Sequence, residues 1–162
     1  MFIKVVETIS SVSGWLSGIG VYGMTIVVFV DVILRYFFSS SLFFSEELSI
    51  YFMVYVAFIG AAMTMKKGAH IKVDLLYNRL SEKARLWLDT ITTILGTIIC
   101  FIMTWQSAFW VRYTYKTNFI SPGILETPMW IPMACVPIGL FLWSLQYVVE
   151  SIKALNLLIQ SD

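Results

Sequence analysis

Charge, histidine and cysteine are all scarce in this sequence. Only 13% of its 162 residues are charged, against about 25% in an average soluble domain. The single histidine, His70, cannot supply the ligand pair of a bis-histidine haem. Cys100 and Cys135 stand far apart without a C-x-x-C motif, so a membrane thiol oxidoreductase is excluded and we expect both to be small buried hydrophobes.

Enzyme motifs are missing as well. The sequence contains no phosphate-binding loop, no cluster with metal-ligand spacing and no nucleophile paired with a base. We therefore expect no enzyme, no cofactor and no metal site. The net charge of +1 gives no reason to expect a nucleic-acid partner.

Four long stretches without charge take the place of these features. Each contains 18 to 23 residues, and they are Thr8–Val30, Leu48–Met65, Thr90–Val111 and Thr127–Val149. About 17–25 apolar residues are needed to cross the hydrocarbon core of a bilayer as a helix. The sequence therefore predicts an all-α integral membrane protein with four transmembrane helices in one domain, 1–162, spanning approximately 12–36, 46–66, 84–112 and 128–150.

Two shorter segments are predicted to lie along the membrane surface. Near the start of the chain, four apolar residues have the spacing of an amphipathic helix: Phe2, Val5, Val6 and Ile9. Between helices 2 and 3, polar residues alternate with apolar ones at His70, Lys72 and Asp74. This pattern favours an interfacial segment near anionic headgroups, and an ordinary cytoplasmic loop is the alternative.

Capping signals predict where three helices begin. In each, a serine or threonine precedes acidic residues or a proline, which suit the first turn of a helix. They are Ser45 before Glu46 and Glu47, Ser81 before Glu82, and Thr127 before Pro128. Helix 3 should then run from Ser81 to about Tyr115, and Pro137 should bend helix 4 because proline removes one backbone hydrogen bond.

The lysines and arginines are distributed unevenly between the two sides. Eight of the 11 fall near the termini or between helices 2 and 3: Lys4, Lys66, Lys67, Lys72, Arg79, Lys83, Arg85 and Lys153. The other three are Arg35, Arg112 and Lys116. Because cytoplasmic loops keep an excess of basic residues, both termini are expected to be cytoplasmic.

A small ionic cluster is predicted at the outer ends of helices 1 and 2. Asp31 and Arg35 lie four residues apart on one helix face, and Glu46 and Glu47 begin the next helix after a short loop. We expect this cluster to fix the two helices or a subunit contact, and direct contact with a soluble partner is the alternative. The midplane carries no charge, which excludes a proton-coupled exporter with a deep carboxylate.

Small residues and one proline are the candidate helix-packing residues. Gly14 and Gly18 form a G-x-x-x-G motif, where a helix of this chain or of another could approach closely. Gly60 and Pro137 complete the set.

Ordered motifs along the whole chain resemble one transporter family. They are D-V-I-L-R-Y at 31–36, S-E-E-L-S at 45–49, F-I-G-A-A at 58–62, G-A-H-I-K-V-D at 68–74 and T-P-M-W-I-P at 127–132, with Pro137 and Gly139 in the last helix. In this order they resemble the small membrane subunit, DctQ-type, of tripartite ATP-independent periplasmic (TRAP) transporters.

The resemblance implies a three-part system in the bacterial inner membrane. The partners would be a large multi-span membrane subunit of M type, a periplasmic substrate-binding protein of P type and membrane lipids. In such systems the large subunit works as an elevator and carries the substrate and sodium sites. The small subunit would scaffold it during uptake of an organic acid, such as a C4-dicarboxylate or sialic acid, and its outer loops would help to receive the P-type protein.

Two other classes of function stay open at this point. A self-contained small transporter or channel would have to line a pathway by homo-oligomerisation, and the lack of polar groups at the midplane counts against it. A membrane-anchoring or assembly subunit of an unrelated complex fits the bulk features equally well. Only the family motifs disfavour it.

Overall fold

Four long helices make up the described part of the chain. The computed structural model describes residues 1–67 and 82–160. Its helices are α1 (Phe2–Phe38), α2 (Ser45–Lys66), α3 (Glu82–Lys116) and α4 (Trp130–Gln160). Each is long and apolar enough to cross a membrane, which confirms the prediction of an all-α protein with four transmembrane helices. The predicted interfacial residues His70, Lys72 and Asp74 lie outside the described residues.

The N-terminal amphipathic segment is helical as predicted, but it is continuous with the first span. α1 runs without interruption for 37 residues, or about 55 Å at ~1.5 Å per residue. Val6 is buried, whereas Phe2, Val5 and Ile9 stay exposed. The segment is therefore not separate from the first span, since it forms the first turns of α1 and buries Val6.

The starts of α2 and α4 differ from the predicted caps. Phe44 occupies the capping position of α2, without a side-chain capping bond, while Ser45 is the first helical residue. α4 begins at Trp130 rather than at Thr127 and Pro128. Pro128 instead pairs with Ile120 in an antiparallel bridge, which holds it outside the helix. For α3 the predicted bounds agree with the structure to within one residue.

The helices form an open row instead of a closed bundle. α1 packs on α2, α2 on α4 and α4 on α3, with a smaller contact between α1 and α4. The two longest helices, α1 and α3, therefore stand at the ends of the row. Much of the apolar surface faces outward as a result. Among the described helices, α3 has the smallest buried fraction, 11% of the residues in its most apolar stretch.

α3 meets α4 along a narrow seam of mainly small residues. These residues recur with a seven-residue repeat and are buried or half-buried: Thr90, Thr93, Thr97, Cys100, Thr104, Ser107, Val111 and Thr114. Their hydroxyls donate to carbonyls of the preceding turn, as Thr104 does to Cys100 at 2.7 Å. The seam therefore presents few free polar groups, and it leaves the large side chains of α3 exposed.

Glycines set the spacing between several helices. A Cβ atom on Gly139 of α4 would overlap the backbone carbonyl of Phe58 in α2. Gly14 lies against Met63, and Gly60 against Ser17, so both belong to the α1–α2 contact. Gly18 has no neighbouring atom within 4 Å of an added Cβ, which places it outside that contact. Pro137 lies in the interior of α4.

Candidate functional site

Polar side chains gather at the two ends of the helix row. Glu7 of α1 contacts Lys153 of α4, so both ends of the described chain lie on one side, which we call the terminal end. The connections 39–44 and 117–129 lie on the opposite side, which we call the loop end.

At the loop end, Asp31 joins Arg35 to the first connection. The carboxylate of Asp31 lies 3.0 Å from the guanidinium of Arg35, as the sequence spacing predicts. Its other oxygen accepts a hydrogen bond from the backbone N–H of Leu42 at 2.7 Å. The Asp31 side chain is 10% exposed and that of Arg35 65% exposed, so the aspartate is the inner member of the pair.

Glu47 binds the second connection instead of joining this cluster. It accepts a hydrogen bond from the backbone N–H of Leu125 at 3.3 Å and another from the Tyr51 hydroxyl. Gly123 lies against its carboxylate, where a Cβ atom would overlap the oxygens. Glu46 is exposed, and within residues 1–67 no ion pair links either glutamate to Arg35. Within residues 1–67, neither glutamate therefore joins the Asp31–Arg35 pair, and the first turn of α2 directs Glu47 toward the α3–α4 connection.

The second connection also has bonds of its own. The N–H of Ser121 donates to the carbonyl of Thr127 at 2.9 Å, and that of Met129 to the carbonyl of Phe119 at 3.0 Å. These bonds fold the connection back on itself, and Glu47 ties the folded loop to α2. Aromatic and aliphatic side chains then remain exposed at the loop end: Phe37, Phe38, Phe43, Phe119 and Ile124. We call these five the loop-end surface.

At the terminal end, charged side chains connect three helices. Lys153 of α4 lies 2.7 Å from Glu7 of α1 and 3.1 Å from Glu150 of its own helix. Lys66 of α2 donates to the carbonyl of Glu7 at 2.8 Å and to the hydroxyl of Ser11 at 2.6 Å. One short segment of α1 thus holds the ends of both α2 and α4.

A buried hydrogen bond lies directly beneath this group. Ser10 of α1 and Gln146 of α4 are almost completely buried, and their side-chain oxygens are 2.9 Å apart. The amide nitrogen of Gln146 donates to Glu150 at 3.2 Å, which continues the network to the surface. We call Glu7, Ser10, Lys66, Gln146, Glu150 and Lys153 the terminal-end network.

Sequence reasoning missed the terminal-end network, although one signal for it was present. Ser10, Ser13 and Ser17 are spaced three and four residues apart and are all buried on one face of α1. That spacing marks the face on which α2 and α4 pack, because small hydroxyl residues allow close helix contact in membranes. The acidic and basic partners could not be found in this way, since Glu7 and Lys153 are 146 residues apart.

The remaining titratable side chains gather no further site in the described ranges. No group of three or more histidine, cysteine, aspartate and glutamate side chains comes together in residues 1–67 and 82–160. Cys100 is buried in the α3–α4 seam and Cys135 is half-buried. The charged side chains described above therefore hold helices and connections at the two ends of the row.

Comparison with known proteins places this architecture in a family. Residues 24–157 match the model of the DctQ component of tripartite ATP-independent periplasmic transporters. A TRAP transporter small permease protein of Haemophilus influenzae is 32% identical over 99 residues, which are 61% of this chain and 60% of that relative. The ectoine TRAP transporter small permease protein TeaB of Halomonas elongata is 26% identical over 148 residues, covering 91% of this chain and 76% of TeaB.

A third relative is a much longer protein. The sialic acid TRAP transporter permease protein SiaT of Haemophilus influenzae is 31% identical over 97 residues, which are 58% of this chain and 15% of SiaT. The family match covers all four helices at least in part. This chain belongs to the DctQ component family of tripartite ATP-independent periplasmic transporters.

Proposed function

We propose that this chain is a scaffold subunit that holds and widens the fixed part of a large, elevator-type TRAP membrane subunit of M type. Members of this family are components of transporters and not enzymes. The observation that carries the proposal is the open row of helices, with its apolar flanks exposed over the length of α1 and α3. A protein that moves a solute alone needs polar groups inside an enclosed pathway, usually near the midplane. An open row suits packing against a larger membrane partner.

The length of SiaT supports a large membrane partner. The region of SiaT that matches this chain is only 15% of that permease protein. A region similar to this chain therefore occurs there as a small part of a far longer permease protein. In the present protein the same association would form between separate subunits, through the exposed sides of the helix row.

The loop end is proposed to face the periplasm, with both termini in the cytoplasm of a bacterial inner membrane. The uneven distribution of basic residues supports this orientation, since three of the 11 lie at the loop end or near it. Asp31 and Glu47 hold the two connections in place, and the loop-end surface stands around them. A P-type substrate-binding protein would dock there while it delivers its ligand to the large subunit.

The transported compound is proposed to be an organic acid moved with sodium. The names of the relatives mention ectoine and sialic acid, so membership of this family fits more than one substrate. C4-dicarboxylates are a further candidate class from the sequence resemblance. We assign substrate binding to the large subunit and to the P-type substrate-binding protein, and sodium binding to the large subunit. We assign neither to residues of this chain.

Reconstitution into liposomes tests the scaffold role. A thermal-shift screen on the P-type substrate-binding protein first identifies an organic acid that it binds. Uptake of that acid in radiolabelled form is then measured with an inward sodium gradient. Four preparations are compared: this chain alone, the large subunit alone, both subunits, and both subunits with the P-type substrate-binding protein. We expect sodium-dependent uptake only in the last. Uptake by this chain alone would overturn the proposal.

A further inference from the structure

A narrow groove opens on the outer side of the α1–α2 pair. Its volume is about 250 Å³, and it is lined by Gly14, Trp15, Gly18, Ile19, Tyr22, Met63 and Lys67. The groove runs along nine residues of α1, from Gly14 to Tyr22, whose Cα atoms span about 12 Å of helix at ~1.5 Å of rise per residue. Lys67 follows the last turn of α2 and marks the end of the groove nearest the terminal end. We call this feature the α1–α2 groove.

The shape of the groove suits one flexible chain better than a helix. Met63 occupies the space beside Gly14, whereas the space over Gly18 is empty. Trp15 and Tyr22 stand on either side of Gly18 in sequence and are 79% and 75% exposed, so they form projecting walls. A helix with its side chains is about 10–12 Å wide and would meet these walls before its backbone reached Gly18. An acyl chain has no such width.

The charge at one end of the groove suits a phosphate. Lys67 is exposed, and within the described part of the chain no carboxylate pairs with it. The nearby carboxylate of Glu7 is already bound to Lys153, and Lys66 donates only to neutral oxygens. This leaves a positive charge at the membrane edge, where lysines attract anionic headgroups. Trp15, beside it, is a residue type favoured at the same level of a bilayer.

We propose that the α1–α2 groove binds one anionic phospholipid from the leaflet at the terminal end. One acyl chain lies over Gly18 between Trp15 and Tyr22, and the phosphate lies against Lys67. The site belongs to this chain alone, so it does not depend on the scaffold role or on the transported compound.

Native mass spectrometry of the full chain, purified in mild detergent with the membrane subunits it carries, tests this site. Phosphatidylglycerol or phosphatidylcholine is added, and the fraction with one bound lipid is measured. We expect phosphatidylglycerol to bind several-fold more strongly than phosphatidylcholine. Gly18→Leu should fill the groove and Lys67→Gln should remove the charge, and each should reduce phosphatidylglycerol occupancy several-fold.

Matched variants separate this site from general lipid contact. Ala108→Leu places the same leucine side chain at an exposed position of α3, and Lys4→Gln removes an exposed charge from α1. Both should keep the occupancy of the unmodified protein. Equal occupancy in all four variants would overturn the proposal. So would efficient cross-linking of Gly18→Cys to another protein chain with phosphatidylglycerol occupancy unchanged, because the groove would then hold a protein helix.

Discussion

Asp31 accepts a hydrogen bond from the backbone N–H of Leu42, 11 residues further along the chain, with the oxygen that does not face Arg35. One carboxylate therefore neutralises a neighbouring cation and also fixes the connection between α1 and α2. The two partners differ in exposure, since Arg35 reaches water and Asp31 is largely buried. The sequence predicts that Asp31 and Arg35 compensate each other's charge. The structure adds a second role for Asp31, which is to hold the connection through the N–H of Leu42.

Asp31→Ala should therefore destabilise the protein more than Arg35→Gln. The alanine variant leaves the N–H of Leu42 without its acceptor, at a cost of about 1–3 kcal/mol. Loss of an exposed cation costs about 0–1 kcal/mol. Asp31→Asn, which keeps an acceptor oxygen, should fall between them. Unfolding in increasing SDS concentration measures the stability of each variant. Equal losses of stability in Asp31→Ala and Arg35→Gln would contradict the role of Asp31 in holding Leu42.

Glu47→Ala should loosen the connection between α3 and α4. The variant removes the acceptor of the Leu125 N–H and of the Tyr51 hydroxyl. Hydrogen exchange at residues 121–126 should become faster, while exchange in the helices stays unchanged. Glu46→Ala is the matched control, because Glu46 is the exposed neighbour in the same turn. Equal exchange in both variants would show that Glu47 does not hold the connection.

Ser10→Ala should cost more stability than Gln146→Leu. Without the Ser10 hydroxyl, the side-chain oxygen of Gln146 is buried without this partner, at about 1–3 kcal/mol. After Gln146→Leu, Ser10 can still donate to the carbonyl of Val6, 2.9 Å away. The double variant should recover part of the loss, since contacting residues are not additive. Thr25→Val, at an exposed position of α1, is the control and should change stability by less than about 0.5 kcal/mol. Additive losses would contradict the contact.

The number and type of the helices followed from the sequence because the length of an uncharged apolar stretch is a local property of the chain. α3 illustrates this, since Ser81, Glu82 and the apolar run to Tyr115 give its bounds almost to the residue. Local capping signals were less reliable where tertiary bonds compete. Thr127 and Pro128 have the chemistry of a helix start, but the pairing of Ile120 with Pro128 keeps them in the connection.

The polar clusters were only partly predictable because they depend on which helices are neighbours. Asp31 and Arg35 share one helix face, so four-residue spacing was enough to pair them. Glu47 lies close to them in sequence, yet it binds Leu125, 78 residues away. The spacing of residues around Glu47 does not predict that contact. The open order of the helices decides it, and hydropathy does not specify that order.

The orientation of the protein can be read with two cysteine variants. In a background of Cys100→Ala and Cys135→Ala, Thr117→Cys at the loop end should react with an impermeant thiol reagent added to intact spheroplasts. Phe2→Cys at the terminal end should react only after lysis, because the excess of basic residues favours cytoplasmic termini. Thr117 is used because its neighbour Asn118 has a positive φ of 47°, which disfavours cysteine. The reverse pattern of labelling would place the loop-end surface on the cytoplasmic side.

Gly139→Ala should separate α2 from α4 and weaken the whole row. The added methyl group would overlap the carbonyl of Phe58, and a backbone atom of a neighbouring helix cannot move aside as a side chain can. Overpacking of this kind costs about 1–3 kcal/mol. α2 and α4 are the two central helices, so the loss should also reduce assembly with other membrane subunits.

Gly18→Ala is the matched control for Gly139→Ala. It adds the same methyl group to a helical glycine with open space around it. Alanine favours a helix over glycine by about 0.8–1.0 kcal/mol, so this variant should be as stable as the unmodified protein or more so. SDS unfolding and co-purification of the membrane subunits measure both variants. If Gly139→Ala unfolds and assembles like Gly18→Ala, the close contact between Gly139 and Phe58 does not set the distance between α2 and α4.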